Sequence, residues 1–232
     1  MENTNNNSNE VKNTETQSNS NENASSETAT SKKTNFFEEL CDMVESVLFS
    51  IFAVILIFTF LFKVASVVGT SMVPTLEQDD KLIVASAFYN NPKYGDIVII
   101  NAQDAHLLPD TNGDGVRNND DTVQLGDGLH KPIVKRVIAT AGQTLDIDFD
   151  TGNVYIDGEV INESYINDLT DRDEGGFEYP ITIPDGYVFV LGDNRGVSKD
   201  SRSYQVGLIP VEDIIGKVVF RISPIEKFGF VD

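Results

Sequence analysis

The chain has 232 residues, 37 acidic against 17 basic side chains and a formal net charge of −20, with one cysteine, two histidines and no tryptophan. That balance excludes a nucleic-acid binder, which needs a basic footprint to displace counterions. A lone cysteine excludes a disulfide within the chain.

Residues 1–35 are rich in Asn, Ser, Thr and Glu, with Val11 and two alanines as nearly their only apolar members. Such a stretch buries too little surface to offset ordering entropy and is predicted to be a disordered, low-complexity tail. Residues 36–68 are predicted to be a juxtamembrane segment and an anchor. Within them, 46–68 read SVLFSIFAVILIFTFLFKVASVV, with Lys63 as the only charge. As a helix, these residues reach about 34 Å, against a hydrocarbon core of about 30 Å. Cys41 lies just before the span and reads as a small interfacial hydrophobe. Lys32 and Lys33 precede the span, but Glu38, Glu39, Asp42 and Glu45 stand closer to it, while Lys63 and Lys81 follow its core. Charge bias therefore leaves the orientation open.

Residues 69–232 carry 28 acidic and 13 basic side chains. Runs rich in β-branched and aromatic residues occur at 81–88, 95–100, 133–139, 144–149, 153–161, 187–191 and 214–222. Asn91-Pro92, Asp157-Gly158 and Pro184-Asp185-Gly186 punctuate them, and Asp157-Gly158 is a strong hairpin signal. The expected fold is mainly β, with 144–186 as an appended β sub-domain and 101–130 as an acidic insertion.

Inside that insertion, 110–121 read DTNGDGVRNNDD. The spacing allows Asp110, Asn112, Asp114, the Val116 carbonyl, Asn118 and Asp121 to converge on a calcium ion, with Gly115 making the sharp turn. This resembles the loops of EF-hand and dockerin modules, with aspartate in the last position. The other reading is a solvated acidic loop, and both stand. His106 and His130 flank the insertion and are expected to face solvent.

Two residues suggest chemistry. Ser71 lies just beyond the apolar span, in Gly69-Thr70-Ser71-Met72-Val73-Pro74-Thr75-Leu76. Lys135 lies in the run IVKRVIA, where alternation puts it on one face with Ile133, Val137 and Ala139. Burial among apolar side chains lowers an ammonium pKa. A lysine made neutral in this way can take the proton of a serine hydroxyl. The two residues are 64 positions apart, so spacing alone does not bring them together.

Four blocks, in order, resemble the bacterial type I signal peptidases, particularly Gram-positive members. They are Gly69 to Leu76, Gly95-Asp96-Ile97-Val98, Lys135-Arg136-Val137-Ile138, and Gly192-Asp193-Asn194-Arg195-Gly196-Val197-Ser198-Lys199-Asp200-Ser201-Arg202. The likeness covers roughly residues 40–228. It implies a β catalytic core behind one transmembrane helix, with the catalytic region on the extracytoplasmic side of a bacterial cell membrane. It further implies Ser71 as nucleophile, Lys135 as general base, and Ser198, Asp200 and Arg202 as supports. Val67, Val68, Met72, Leu76, Ile133 and Val134 would line pockets for small residues of an Ala-x-Ala-like cleavage site. The backbone N–H of Ser71 is the expected oxyanion donor, because Gly69 stands where some relatives carry a second donor. Exported preproteins and the lipid bilayer are the implied partners, with the enzyme acting as a monomer and needing no cofactor for catalysis. Two other readings are a Ser/Lys processing protease with a restricted client and a non-enzymatic, anchored calcium-binding module.

Overall fold

A computed structural model describes residues 24–87 and 89–231, so the first 23 residues of the expected tail lie outside the described residues. The chain divides into two units, residues 1–54 and 55–232. Helix α1 runs Ala24–Leu61 and therefore takes in the last part of the expected tail. Its segment Phe36–Leu61, 26 residues, is long and apolar enough to cross a membrane, reaching about 39 Å at the helical rise. Phe49, Phe52, Ile55 and Phe58 are exposed along it.

The helix stops seven residues before the end of the span expected from sequence. Phe62–Ser66 forms strand β1 instead, antiparallel to β2 (Lys81–Ala85). An apolar run of aromatic and β-branched residues satisfies either period, and only the presence of a pairing strand decides between them. Lys63 is exposed on this outer strand, where a charge discourages further pairing.

The main sheet contains β1, β2, β3 (Ile97–Leu107), β4 (Gln124–Thr140), β9 (Tyr187–Leu191), β10 (Ile209–Pro210), β11 (Ile214–Ser223) and β12 (Gly229–Phe230). Their order is β1-β2-β11-β3-β4-β9-β10, with β12 paired to β11. A second sheet, in the order β7-β6-β5-β8, is built from β5 (Thr144–Asp148), β6 (Asn153–Ile156), β7 (Glu159–Val160) and β8 (Ile181–Thr182). Asp157 and Gly158 turn β6 into β7 with φ of 54° and 82°, the pair of positive values that a two-residue hairpin loop requires.

Period-two burial distributes the strands over three cores. Val98 and Ile100 join Val137, Val188 and Val190 in one cluster. Ile97 and Ile99 face another cluster, with Met72, Leu76 and Leu82. Phe189 and Leu191 pack with Leu145, Ile147 and Ile181, joining the second sheet to the first. The alternation expected on β4 breaks near its end. A register shift between Val137 and Ala139 places Ile138 and Ala139 together in this third cluster, as a bulge does by adding one unpaired residue.

β3 and β4 are longer than their apolar runs. They continue as a hairpin with Asp104 opposite Asp127 and Leu107 opposite Gln124. Residues 101–107 and 124–130, read from composition as insertion, are therefore strand. Glycines and acidic side chains hide strands whose backbone bonds are satisfied by a partner rather than by a core. His106 in this hairpin is buried, at 9 % exposure, and its ring packs 5.9 Å from that of Tyr187. This corrects the expectation of a solvent-facing side chain, since Gly207 crosses directly over the His106 backbone. His130 is exposed.

Candidate active site

The segment after β1 folds back on itself. The Val67 N–H donates to the Asp80 carbonyl and the Asp79 N–H to the Val67 carbonyl, each at 2.9 Å. Gly69 has φ of +92°, a conformation that side chains disfavour. Val73 N–H then bonds the Thr70 carbonyl and Leu76 N–H the Met72 carbonyl. Met72 and Leu76 are pressed into the core at 1 % and 0 % exposure, and Ser71 is left half-buried at the head of the turn. Two buried apolar anchors and two backbone bonds thus set the serine on a fixed loop.

Lys135 reaches that serine from β4. Its Nζ lies 2.8 Å from Ser71 Oγ and 2.8 Å from the Val134 carbonyl oxygen. At 3 % exposure the amine is buried. Burial pulls its pKa from 10.5 down to about 8, while the nearby Asp200 and Asp193 carboxylates oppose the shift. Desolvation outweighs attraction here because neither carboxylate bonds the amine directly.

Arg136, the next residue, points into a different network. Its Nε and Nη2 donate to Asp193 at 2.9 and 2.8 Å, its Nη1 to the Gly95 carbonyl at 2.9 Å, and its guanidinium stacks 4.0 Å from the centre of the Tyr165 ring. Asp193 also accepts from Thr75 Oγ1 at 2.5 Å. One carboxylate therefore ties the serine loop to the lysine strand.

The 192–202 segment closes the site from behind. Asp200 and Arg202 are both fully buried and paired twice, Nε to Oδ1 at 2.9 Å and Nη2 to Oδ2 at 3.0 Å. Burial alone would raise the Asp200 pKa, but the Arg202 charge and hydrogen bonds hold it below the usual carboxylate range. Ser198 Oγ is buried without a well-formed hydrogen bond, near enough to Asp200 to favour its ionised form. The Lys135 amine donates to the Val134 carbonyl, a partner that no spacing in the sequence marks. A Cβ on Gly192 would sit 2.1 Å from Ser198 Oγ and 2.5 Å from the Ser71 carbonyl oxygen. Only glycine lets this segment come so near the serine.

A cleft of about 520 Å³ opens over the pair. Val67, Val68, Met72, Ile133 and Val134 line it, as do Ile99, Leu129, Pro132 and Val197. Leu76 is fully buried beneath the serine loop and is not part of the lining. The lining of the cleft is mostly apolar, with Lys131 and Lys199 also among the residues that border it.

The 110–121 loop stands apart from this chemistry. Asp110 accepts from the Gly113 and Gly115 N–H groups, Asn112 from Asp114, Asp114 from Val116 and Asn118 from Asp120. Asp121 accepts from the Thr111 and Asn118 N–H groups. The side chains serve as backbone caps within the loop. Among the described residues no three His, Cys, Asp or Glu side chains are grouped to hold a metal ion.

The profile of the family "Signal peptidase, peptidase S26" matches residues 40–223. A probable signal peptidase I-1 from a Synechocystis species is 37 % identical over 162 residues, covering 68 % of this chain and 70 % of its own. A signal peptidase I from Bacillus licheniformis is 31 % identical over 212 residues, covering 88 % of this chain and 97 % of its own. A solved signal peptidase I from Enterococcus faecalis aligns with 55 % of this chain and 96 % of its own, at 23 % identity and a TM-score of 0.37, a loose likeness.

Proposed function

The chain belongs to the signal peptidases of peptidase family S26, and on that premise we propose that it is a membrane-anchored serine endopeptidase removing signal peptides from exported preproteins. The observation that carries this reading is the 2.8 Å approach of a buried lysine amine to a serine hydroxyl beneath a mostly apolar cleft.

When Lys135 is neutral, the Ser71 hydroxyl donates to its lone pair while an amine N–H donates to the Val134 carbonyl. Attack of Oγ on the scissile carbonyl passes the hydroxyl proton to the amine. The resulting oxyanion is received by the Ser71 N–H, which has no acceptor among the described residues, so it costs no existing bond to use. The ammonium then protonates the departing amine, leaving an acyl-enzyme on Ser71. Lys135, neutral again, deprotonates water to release the signal peptide. Amine and hydroxyl supply base and nucleophile, so the proposed chemistry is complete without a cofactor.

The apolar lining that Val68, Ile133 and Val134 give the cleft suits the small apolar side chains of an Ala-x-Ala-like site. A 26-residue helical segment long and apolar enough to cross a membrane, next to the domain in sequence, suits substrates that are themselves held in the bilayer, with the domain on the extracytoplasmic side.

The test is cleavage of several unrelated preproteins by the purified full chain in lipid or detergent. Cleavage of most of them supports a general peptidase, whereas a single accepted client would mark a specialised processing enzyme. The rate should also titrate. Lys135 acts only when deprotonated and its pKa is pulled to about 8, so kcat/KM should rise with pH and level off above about 8. A rate that is flat from pH 6 to 9 would remove Lys135 as the base.

A further inference from the structure

Asn194 makes two hydrogen bonds that the proposed chemistry does not use. Its Nδ2 donates to the Thr70 carbonyl oxygen at 3.1 Å, and its backbone N–H donates to the Ser71 carbonyl oxygen at 3.0 Å. These two carbonyls belong to the peptide groups on either side of the Ser71 Cα. Because a carbonyl oxygen only accepts, the amide nitrogen of Asn194, not its oxygen, faces Thr70.

The first of these bonds bears on catalysis. The Thr70 carbonyl and the Ser71 N–H are parts of one rigid plane. A bond on the oxygen fixes the plane's rotation and hence the direction of the N–H on its other side. It also draws electron density toward the oxygen, which makes the N–H a better donor. The Val73 N–H bonds the same oxygen at 3.2 Å, but it belongs to the serine turn itself and moves with it. Asn194 comes from a different segment. That segment is braced by the Asp193 pair with Arg136 and by Arg195, which is itself buried and bonds the Gly192 carbonyl and Glu163. Gly192 allows the approach, since a Cβ there would meet the Ser71 carbonyl at 2.5 Å.

We propose that Asn194 is a positioning residue that holds the peptide plane preceding Ser71, and so aims and strengthens the oxyanion donor. This rests on the assignment of Ser71 as nucleophile. Asn194 touches neither the serine hydroxyl nor the lysine amine. Its loss should slow the chemical step without disturbing substrate capture or the titration of the base.

The experiment compares full-length wild type, Ser71→Ala, Asn194→Ala and Asn194→Asp on an Ala-x-Ala preprotein, and measures binding of a peptide aldehyde that forms a tetrahedral adduct on serine. Loss of a direct oxyanion donor costs on the order of 10²–10³-fold in kcat. An indirect hold is expected to cost about 10- to 100-fold, with KM within about twofold, aldehyde affinity reduced in step with kcat, and the pH midpoint of Asn194→Ala unmoved. Asn194→Asp keeps the side-chain shape and the backbone bond but sets a carboxylate against the Thr70 carbonyl. It should lose at least as much and decides the matter if the alanine variant fails to fold. Unchanged kcat in the aspartate variant, or a rise in KM alone, overturns the inference while leaving the Ser71 assignment intact. Failure of wild type to cleave, or undiminished cleavage by Ser71→Ala, overturns both.

Discussion

Ser71→Ala and Lys135→Ala are each expected to lower preprotein cleavage by on the order of 10⁴-fold or more, and the double variant by little beyond either alone. As proposed nucleophile and base, the two would act as one unit across their 2.8 Å contact, so losing one would make the other useless. The measurement is single-turnover cleavage of a preprotein by proteins verified as folded. A residual rate within tenfold of wild type in Ser71→Ala would end the serine mechanism. Stability should move in the opposite sense for the lysine. Its pKa falls from 10.5 to about 8 on folding, so the folded state holds its proton less tightly than the unfolded state. The folded protein therefore carries a destabilising ammonium in full below about pH 8, and the penalty fades as pH rises toward 10.5. Lys135→Met should be more stable than wild type at pH 7, by roughly 3 kcal/mol at most. The gap should narrow to less than about 1 kcal/mol at pH 10. Denaturant melts at the two pH values check both the sign and the window.

The sequence carried the mainly β class and the presence of an apolar helix in the periods of its apolar residues. It carried the Asp157-Gly158 hairpin in a dipeptide that tolerates two positive φ values. It did not mark where helix yields to strand, because Phe62–Ser66 suits both until β2 is there to pair with it. Nor did it reveal the outer part of the β3–β4 hairpin, where glycines and acidic side chains pair strand to strand without a continuous apolar run to mark them. The burial of Lys135 followed from alternation, yet its partner did not, since contact across 64 residues depends on sheet order. Arg136 and Asp193 were legible only as parts of motifs. Their pairing arises because β4 and the turn after β9 run side by side. The Val134 carbonyl, which accepts from the amine, has no side-chain signature at all. Asn194 stood in plain view in the last block, but its role depends on which backbone it meets.

Asp200→Asn should cost about 3–5 kcal/mol of stability, the penalty for stranding a buried charge. Asp200 accepts from Arg202 through two guanidinium nitrogens and from the Gly192 N–H at 3.0 Å, all fully buried. An asparagine keeps the shape, but it removes the charge opposite a guanidinium that water cannot reach. Arg202 would keep one neutral acceptor in the asparagine oxygen, besides the Arg195 and Arg172 carbonyls, while the amide NH2 would face its other N–H. The same substitution acts on the base. Asp200 is the strongest influence raising the Lys135 pKa, against the larger effect of burial, and Arg202 is one that lowers it. Losing the carboxylate should move the midpoint of the rate profile below 8. Arg202→Gln should move it above 8, although it destabilises the fold through the same broken pair. The two variants thus share a stability defect and differ in the sign of their titration shift. General loosening of the site would shift both midpoints alike, toward the ordinary lysine value, as water reached the amine. Midpoints moving in opposite directions, read from kcat/KM between pH 6 and 10, would show that the buried pair tunes the lysine by its charges as well as supporting the loop.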